Sequence, residues 1–264
     1  MIKAVSNALK MPAGGLTSAI ALPAFVDGRV FMVGPFITVA HALPVTLAAG
    51  ALSIDDDVRP HPHIGIAALT YLLAGEIEHR DALGNYSVLQ AGDVGWMIAG
   101  AGVTHSERYG TVRAHGGAIE SIQIWAALRD ETSVPSYTFV AADDVSEIHG
   151  AGMTIREIGK PLAEALAEEN VYLDHVLLTA GATITIGADA AERAVTVLSG
   201  SVDCGGTTLN QSQTAFFDPG ATISITAITD ARLLSFGGAP VGGRFMWWNF
   251  VASRMELIDA AKRK

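Results

Sequence analysis

Apolar runs of only four to eight residues, each ended by Gly, Asp, Asn or Pro, recur along the chain, as in AALTYLLAGEIEH, DALGN and YSVLQAGDVGWMIAG. Runs rich in Val, Ile, Thr and aromatic residues between such turn formers predict a many-stranded, all-β protein. DALGN and CGGTT read as tight hairpin connections in which Gly and Asn supply positive φ. Helix is scarce. PLAEALAEEN (161–170) predicts two or three turns, with Pro161 acceptable in the first. SRMELIDAAKRK predicts a better helix: Ser253 and Glu256 have capping-box spacing, and Lys262, Arg263 and Lys264 suit the negative end of the helix dipole. Its buried stripe is Met255 and Ile258, with Leu257 and Ala261 beside them.

An internal repeat sets the domain count. TYLLAGEIE (70–78) resembles TVLSGSVD (196–203), with Gly75 on Gly200, and LQAGDVGWMIAG (89–100) can be laid on LNQSQTAFFDPG (209–220), with Gly100 on Gly220. Two similar β-units in tandem predict a duplicated barrel, with an N-terminal domain over 1–135 and a C-terminal domain over 136–264.

HPHIG at 61–65 and HSE at 105–107 gather three of the eight histidines and a glutamate into two short clusters. Side chains alternate along a strand, so His61 and His63 share one face, as do His105 and Glu107. H-x-H alone is often an ordinary polar face. Followed 42 residues later by H-x-E, with Gly-rich turns between, it predicts four ligands converging on one metal ion. Three imidazoles and a carboxylate suit Fe, Mn, Ni, Cu or Zn, whereas magnesium and calcium want mostly oxygen. On an octahedral ion two positions stay open: redox-active iron would activate oxygen there, and zinc would support hydrolysis. Glu107 is the ligand best suited to leave the metal and act as a base, which makes it the candidate catalytic residue.

Counting along the repeat, Ile186 and Ala188 stand where the first unit has His61 and His63, and Ile225 and Ala227 where it has His105 and Glu107. Only the first unit is therefore expected to hold a metal. Among the other histidines, His41 is a candidate to support the ligands from behind. His79 reads as surface or hairpin support, and His115, His149 and His175 as structural. Trp96 and Met97 read as core, Trp247 and Trp248 as barrel or interdomain packing.

Composition removes other classes. Half of the residues are hydrophobic and 17% are charged, so a large core is available. A net charge of −10 argues against a nucleic-acid surface, and the Asp55–Asp57 run reads as a solvated loop. No run approaches the ~18 apolar residues of a membrane span, and the apolar N-terminal stretch is broken by Pro12, Gly14, Gly15, Thr17 and Ser18, unlike a signal peptide. Cys204 is the single cysteine, which fits a reducing cytoplasm. There is no G-x-S-x-G, Walker loop or G-x-G-x-x-G after a strand; AGAG at 99–102 is a turn delivering His105.

HPHIGIAALTYLLAGEIEHRDALGN and GDVGWMIAGAGVTHSE closely resemble the signature of the pirins, bicupins of the cupin superfamily. GPF at 34–36 and the closing GGRFMWWNFV resemble corresponding pirin segments, the latter of a bacterial branch. The resemblance implies two jelly-roll barrels with the C-terminal helix packed back across the pair. It also implies Fe(II) in the first barrel, on His61, His63, His105 and Glu107. Many pirins read HPHRG where this chain has Ile64, and carry an aspartate where it has Ala40, so the pocket surroundings here are less polar. Two activities follow from the resemblance. One is a dioxygenase cleaving quercetin-type flavonols or related small aromatics with dioxygen and releasing carbon monoxide. There the metal would engage the substrate's 3-hydroxyl and 4-carbonyl region while Glu107 takes the hydroxyl proton. The alternative is a non-catalytic, redox-responsive regulator that binds a partner protein.

Overall fold

The computed structural model describes residues 3–6, 18–22, 25–26, 29–166 and 170–263. Strands dominate, as the turn-punctuated sequence requires, and they close into two jelly-roll barrels. In the first, a six-stranded sheet runs in the order Ser136–Val140, Val94–Ile98, Ile66–Ala74, Gly117–Ala127, Phe36–Leu47, Ser18–Leu22. It faces a four-stranded sheet of Val58–His63, Val103–Arg108, Glu76–Asp81 and Tyr86–Gln90. The second barrel repeats the plan. Its larger sheet is Lys3–Ser6, Gln213–Phe217, Glu192–Ser199, Ala231–Gly238, Tyr172–Leu178, Met153–Arg156 and Glu147–Gly150; its smaller sheet is Thr183–Ile186, Ile223–Ala227, Ser201–Cys204 and Thr207–Asn210. The strand Lys3–Ser6 thus pairs with Gln213–Phe217 of the second barrel, whereas Ser18–Leu22 pairs with Phe36–Leu47 of the first.

The larger sheets of the two barrels share a core. Tyr71, Trp96, Ile122 and Ile124 pack with Leu173, Ala194, Leu234 and Phe236, and the Trp96 indole donates to the Ile158 carbonyl at 3.0 Å. Polar groups also pair across the same junction. His41 Nε2 and both Arg232 terminal nitrogens meet the Glu120 carboxylate at 2.8–3.0 Å, and the Tyr71 hydroxyl meets His175 Nδ1 at 2.9 Å. His41 therefore faces the neighbouring barrel instead of supporting the ligands.

The two barrel interiors differ. In the second, Val176, Val195, Val197, Leu209, Ile225 and Leu233 belong to one apolar cluster. In the first, two apolar clusters, one around Ile37, Met97 and Val103 and one around Leu72, Ile77 and Leu89, leave buried Thr70, His63, His105 and Glu107 outside both. The repeat holds, but its register needs one correction. His79 follows Gly75 by four residues and lies opposite Glu107; Cys204 follows Gly200 by four and lies opposite Ile225. Ile225 is therefore the counterpart of Glu107 and Ile223 that of His105, because the turn after Gly220 is two residues shorter than the one after Gly100. Ile186 pairs with Ile223 as His61 pairs with His105, so its assignment stands.

The predicted hairpins form: Gly84 lies at φ +90°, and Gly205 and Gly206 at +56° and +86°. PLAEALAEEN contributes to a helix over Lys160–Leu166; residues 167–169 lie outside the described set. The last helix spans Met255–Ala261, but without the expected capping box: its N-cap is Arg254, and Ser253 instead bonds the Glu131 carboxylate through its backbone N–H and hydroxyl. A tertiary partner has displaced the local one. Ile258 is buried, whereas Met255 is exposed. The Asp55–Asp57 run is not wholly solvated either, since Asp57 pairs with Arg113 and accepts from the Tyr109 N–H.

Before that helix the chain lies across the rim of the first barrel. Phe250 bridges to Ile64, the Val251 N–H donates to the Ile64 carbonyl at 3.3 Å, and Arg244 reaches the Leu128 carbonyl at 2.8 Å. Gly65 makes this approach feasible: its φ is +70°, and a Cβ there would stand 2.0 Å from the Val251 carbonyl oxygen. Gly65→Ala should cost at least about 2 kcal/mol from positive φ and overlap together. The expected result is a lower urea midpoint and a freer Phe250–Ala252 segment in hydrogen exchange. Trp247 and Trp248, expected as packing residues, are 46% and 58% exposed.

Candidate metal centre

Val58–His63 is an edge strand, which is why it tolerates Pro60 and Pro62: a residue without an N–H costs an edge little. Period-2 alternation turns His61 and His63 to the barrel interior. The neighbouring Val103–Arg108 strand sets His105 directly opposite His61, with a bulge before Glu107 pairs with Val58. Ligand atoms of His61, His63 and His105 all lie within 4.8 Å of one another. Two nitrogens on one ion at about 2.0–2.1 Å are at most about 4.2 Å apart, so small ring rotations suffice to share one.

The surroundings leave these rings ready to bind a cation. His61 Nδ1–H donates to the Arg59 carbonyl at 2.8 Å, which leaves Nε2 with its lone pair, the usual way a ligand ring is oriented. Both ring nitrogens of His63, and Nδ1 of His105, are buried without a hydrogen-bond partner. Burial, then the proximity of the other imidazoles, pulls His63 down to about 2, partly offset by the Asn249 backbone. Burial first, then His61 and His79, takes His105 down to about 3. Both rings are neutral at pH 7 and offer lone pairs, the state a metal requires. Orphaned buried nitrogens in an all-imidazole set fit a first-row transition metal.

Glu107 shares the inward face and is buried, but its carboxylate is not part of the imidazole group. Oε1 accepts from the Thr70 hydroxyl at 2.6 Å, and Gln123 Nε2 donates to both carboxylate oxygens at 2.9 and 3.0 Å. Thr70 and Gln123 sit opposite each other on the facing sheet, so the far wall of the barrel fixes this carboxylate.

His79, expected as surface or hairpin support, is buried in this pocket. Its ring stacks on Tyr137 with centroids 4.1 Å apart and 7° between planes, lies 5.3 Å from the His105 ring, and meets the Asp81 carboxylate at 3.3 Å. The signal was present in EIEHRD, where Ile77, His79 and Asp81 alternate with Glu78 and Arg80. Tyr137 hydrogen-bonds Ser87 at 2.5 Å, and burial raises its phenol to about 12. Trp125 stands edge-on to His63 at 5.0 Å. The pocket is thus walled by planar rings around a nitrogen cluster, with a clamped carboxylate beside it. An open groove of about 510 Å³ lies elsewhere, beside Leu177 and Arg232, but among the described residues the one group of three or more metal-ligating side chains is that of His61, His63 and His105.

Two jelly-roll barrels in tandem, with a His-x-His strand facing a third histidine inside the first, define a bicupin of the cupin superfamily. The chain belongs to the pirin family: residues 21–126 match Pirin and residues 172–264 match the Pirin C-terminal cupin domain. A pirin-like protein of Caulobacter vibrioides is 37% identical over 99% of this chain and 92% of its own length. The structure of a quercetin 2,3-dioxygenase from Acinetobacter baumannii superposes with a TM-score of 0.86 at 25% identity, covering 99% of this chain and 96% of the other. The Escherichia coli pirin YhhW, solved in complex with nickel(II), shares the fold at a TM-score of 0.71 and 22% identity, over 91% of this chain and 100% of that one. Among the described residues no helix is long and apolar enough to cross a membrane.

Proposed function

We propose that this chain is a metal-dependent dioxygenase, iron(II) being the expected metal, acting on a flavonol such as quercetin or a related small aromatic in the reducing cytoplasm. The cluster of His61, His63 and His105 beside a fixed, buried carboxylate is the observation that supports this reading. The three imidazoles would hold the ion, with Glu107 as fourth ligand and proton acceptor. Bound there, the metal supplies redox chemistry toward dioxygen and polarises a substrate oxygen.

The chain's own groups do the rest. The planar walls formed by Trp125, and by His79 stacked on Tyr137, suit a flat aromatic substrate and exclude water. Glu107 takes the proton of the substrate hydroxyl. Thr70 and Gln123 hold its carboxylate in place, so little reorganisation accompanies the transfer.

The test is oxygen uptake. Iron-loaded protein should consume oxygen on addition of quercetin, and Glu107→Gln should lower the rate at least about 100-fold, the range for loss of a general base, while the fold is kept. Oxygen uptake unchanged in Glu107→Gln would remove the base from this scheme. Absence of turnover in the parent protein, with capture of a partner dependent on oxidation state, would favour the regulatory reading.

A further inference from the structure

The second barrel lacks the histidines but keeps an opening. A cleft of about 360 Å³ lies there, walled by Ile155, Ile184 and Ile186 and reached by Tyr172, Asp174 and Ser235. Tyr172 and Asp174 lie two residues apart on one strand and so share a face, and Ser235 pairs directly across from Asp174. The ladders show what these positions are. Gln123 lies between Ala40 and Thr70 in the first barrel; Ser235 lies between Asp174 and Val195 in the second. Asp174 thus stands where the first barrel has Ala40, and Ser235 where it has the glutamine that clamps Glu107. The pocket has exchanged its chemistry.

Its polar groups lack partners. Ser235 is 1% exposed and its hydroxyl makes no hydrogen bond; the buried Tyr172 hydroxyl makes none either. Burial raises the Tyr172 phenol to about 12, partly offset by the neighbouring Ser235 hydroxyl. Among the described residues no basic side chain pairs with Asp174. Burial, with Glu157 adding like charge, pushes its carboxyl up to about 7. Arg193, beneath, is committed to the carbonyls of Gly187, Asp218 and Ala221. Native interiors seldom leave such groups unsatisfied.

We infer that the second barrel binds a small organic cation, a primary ammonium on an aliphatic body. An ammonium carries three donors and no acceptor, and Asp174, Tyr172 and Ser235 offer three acceptors around one opening. The isoleucines take the aliphatic body, while Asp174 and the nearby Asp189 disfavour anions.

Calorimetric titration of the full metal-loaded chain with n-hexylamine, 1-hexanol and hexanoate tests this. Hexylamine should bind once per chain with a Kd below about 1 mM. The alcohol and the acid, of matching length, should bind at least about tenfold more weakly. Asp174→Asn should weaken amine binding by at least about tenfold with the first barrel's metal content unchanged, and His63→Ala should leave amine binding intact. No hexylamine heat up to about 10 mM, equal binding of the alcohol, unchanged binding in Asp174→Asn, or loss of binding in His63→Ala would each overturn the inference.

Discussion

His63→Ala should leave the first barrel without metal: content falls from about one ion per chain to less than about a tenth, given that loss of even an outer-sphere partner weakens metal binding 10–100-fold. His63 is 1% exposed, both its ring nitrogens are without partners, and its neighbours His61 and His105 lie within the same 4.8 Å group. Two imidazoles remaining on a strand pair form a poor site. The measurement is elemental analysis of protein purified without added metal, paired with melting curves. Added metal stabilises only a chain that binds it, by about 2.7 kcal/mol at a hundred times Kd. The parent should therefore melt higher with iron(II), and His63→Ala should show no shift. Stoichiometric metal in the variant would move the centre elsewhere.

The second large effect lies between the barrels. Glu120→Ala should destabilise the protein by about 3 kcal/mol, the lower end for breaking a buried ion pair, because Arg232 keeps some contact with solvent. The side chains of Glu120 and Arg232 are 6% and 27% exposed. Without the carboxylate, Arg232 and the buried His41 are left facing one another with no anion between them. Urea unfolding measures the loss. The control is the double replacement Glu120→Gln with Arg232→Met, which removes both charges and should recover most of the stability. If the single variant unfolds like the parent, the junction depends on its apolar core alone.

Much of this architecture was legible because strands announce themselves locally. Alternation alone placed His61 with His63 and His105 with Glu107, and the turn residues of DALGN and CGGTT marked hairpins that the structure contains. The repeat gave two barrels. What escaped was set by pairing across the sheet. Thr70 and Gln123 carry no local mark, yet the register of two distant strands puts both on Glu107. The burial of His79 is hidden for another reason: a strand ending in Arg-Asp looks solvated until its alternate residues are read as one inward row. His41, a candidate to support the ligands, belongs instead to the junction, because its partner Glu120 answers to an arginine from the other barrel. Ser253 failed as a cap because Glu131, 122 residues away, competes for the same donors.

The exchange of chain ends bears on assembly. Lys3–Ser6 forms the edge of the second barrel's larger sheet, and Phe250–Ala252 meets the first barrel at Ile64. The strands of the first barrel's two sheets all lie between Ser18 and Val140 and draw on neither segment. A chain shortened to begin at residue 18 should therefore still take up the first barrel's ion, while Gln213–Phe217 becomes the open edge of the second barrel's larger sheet.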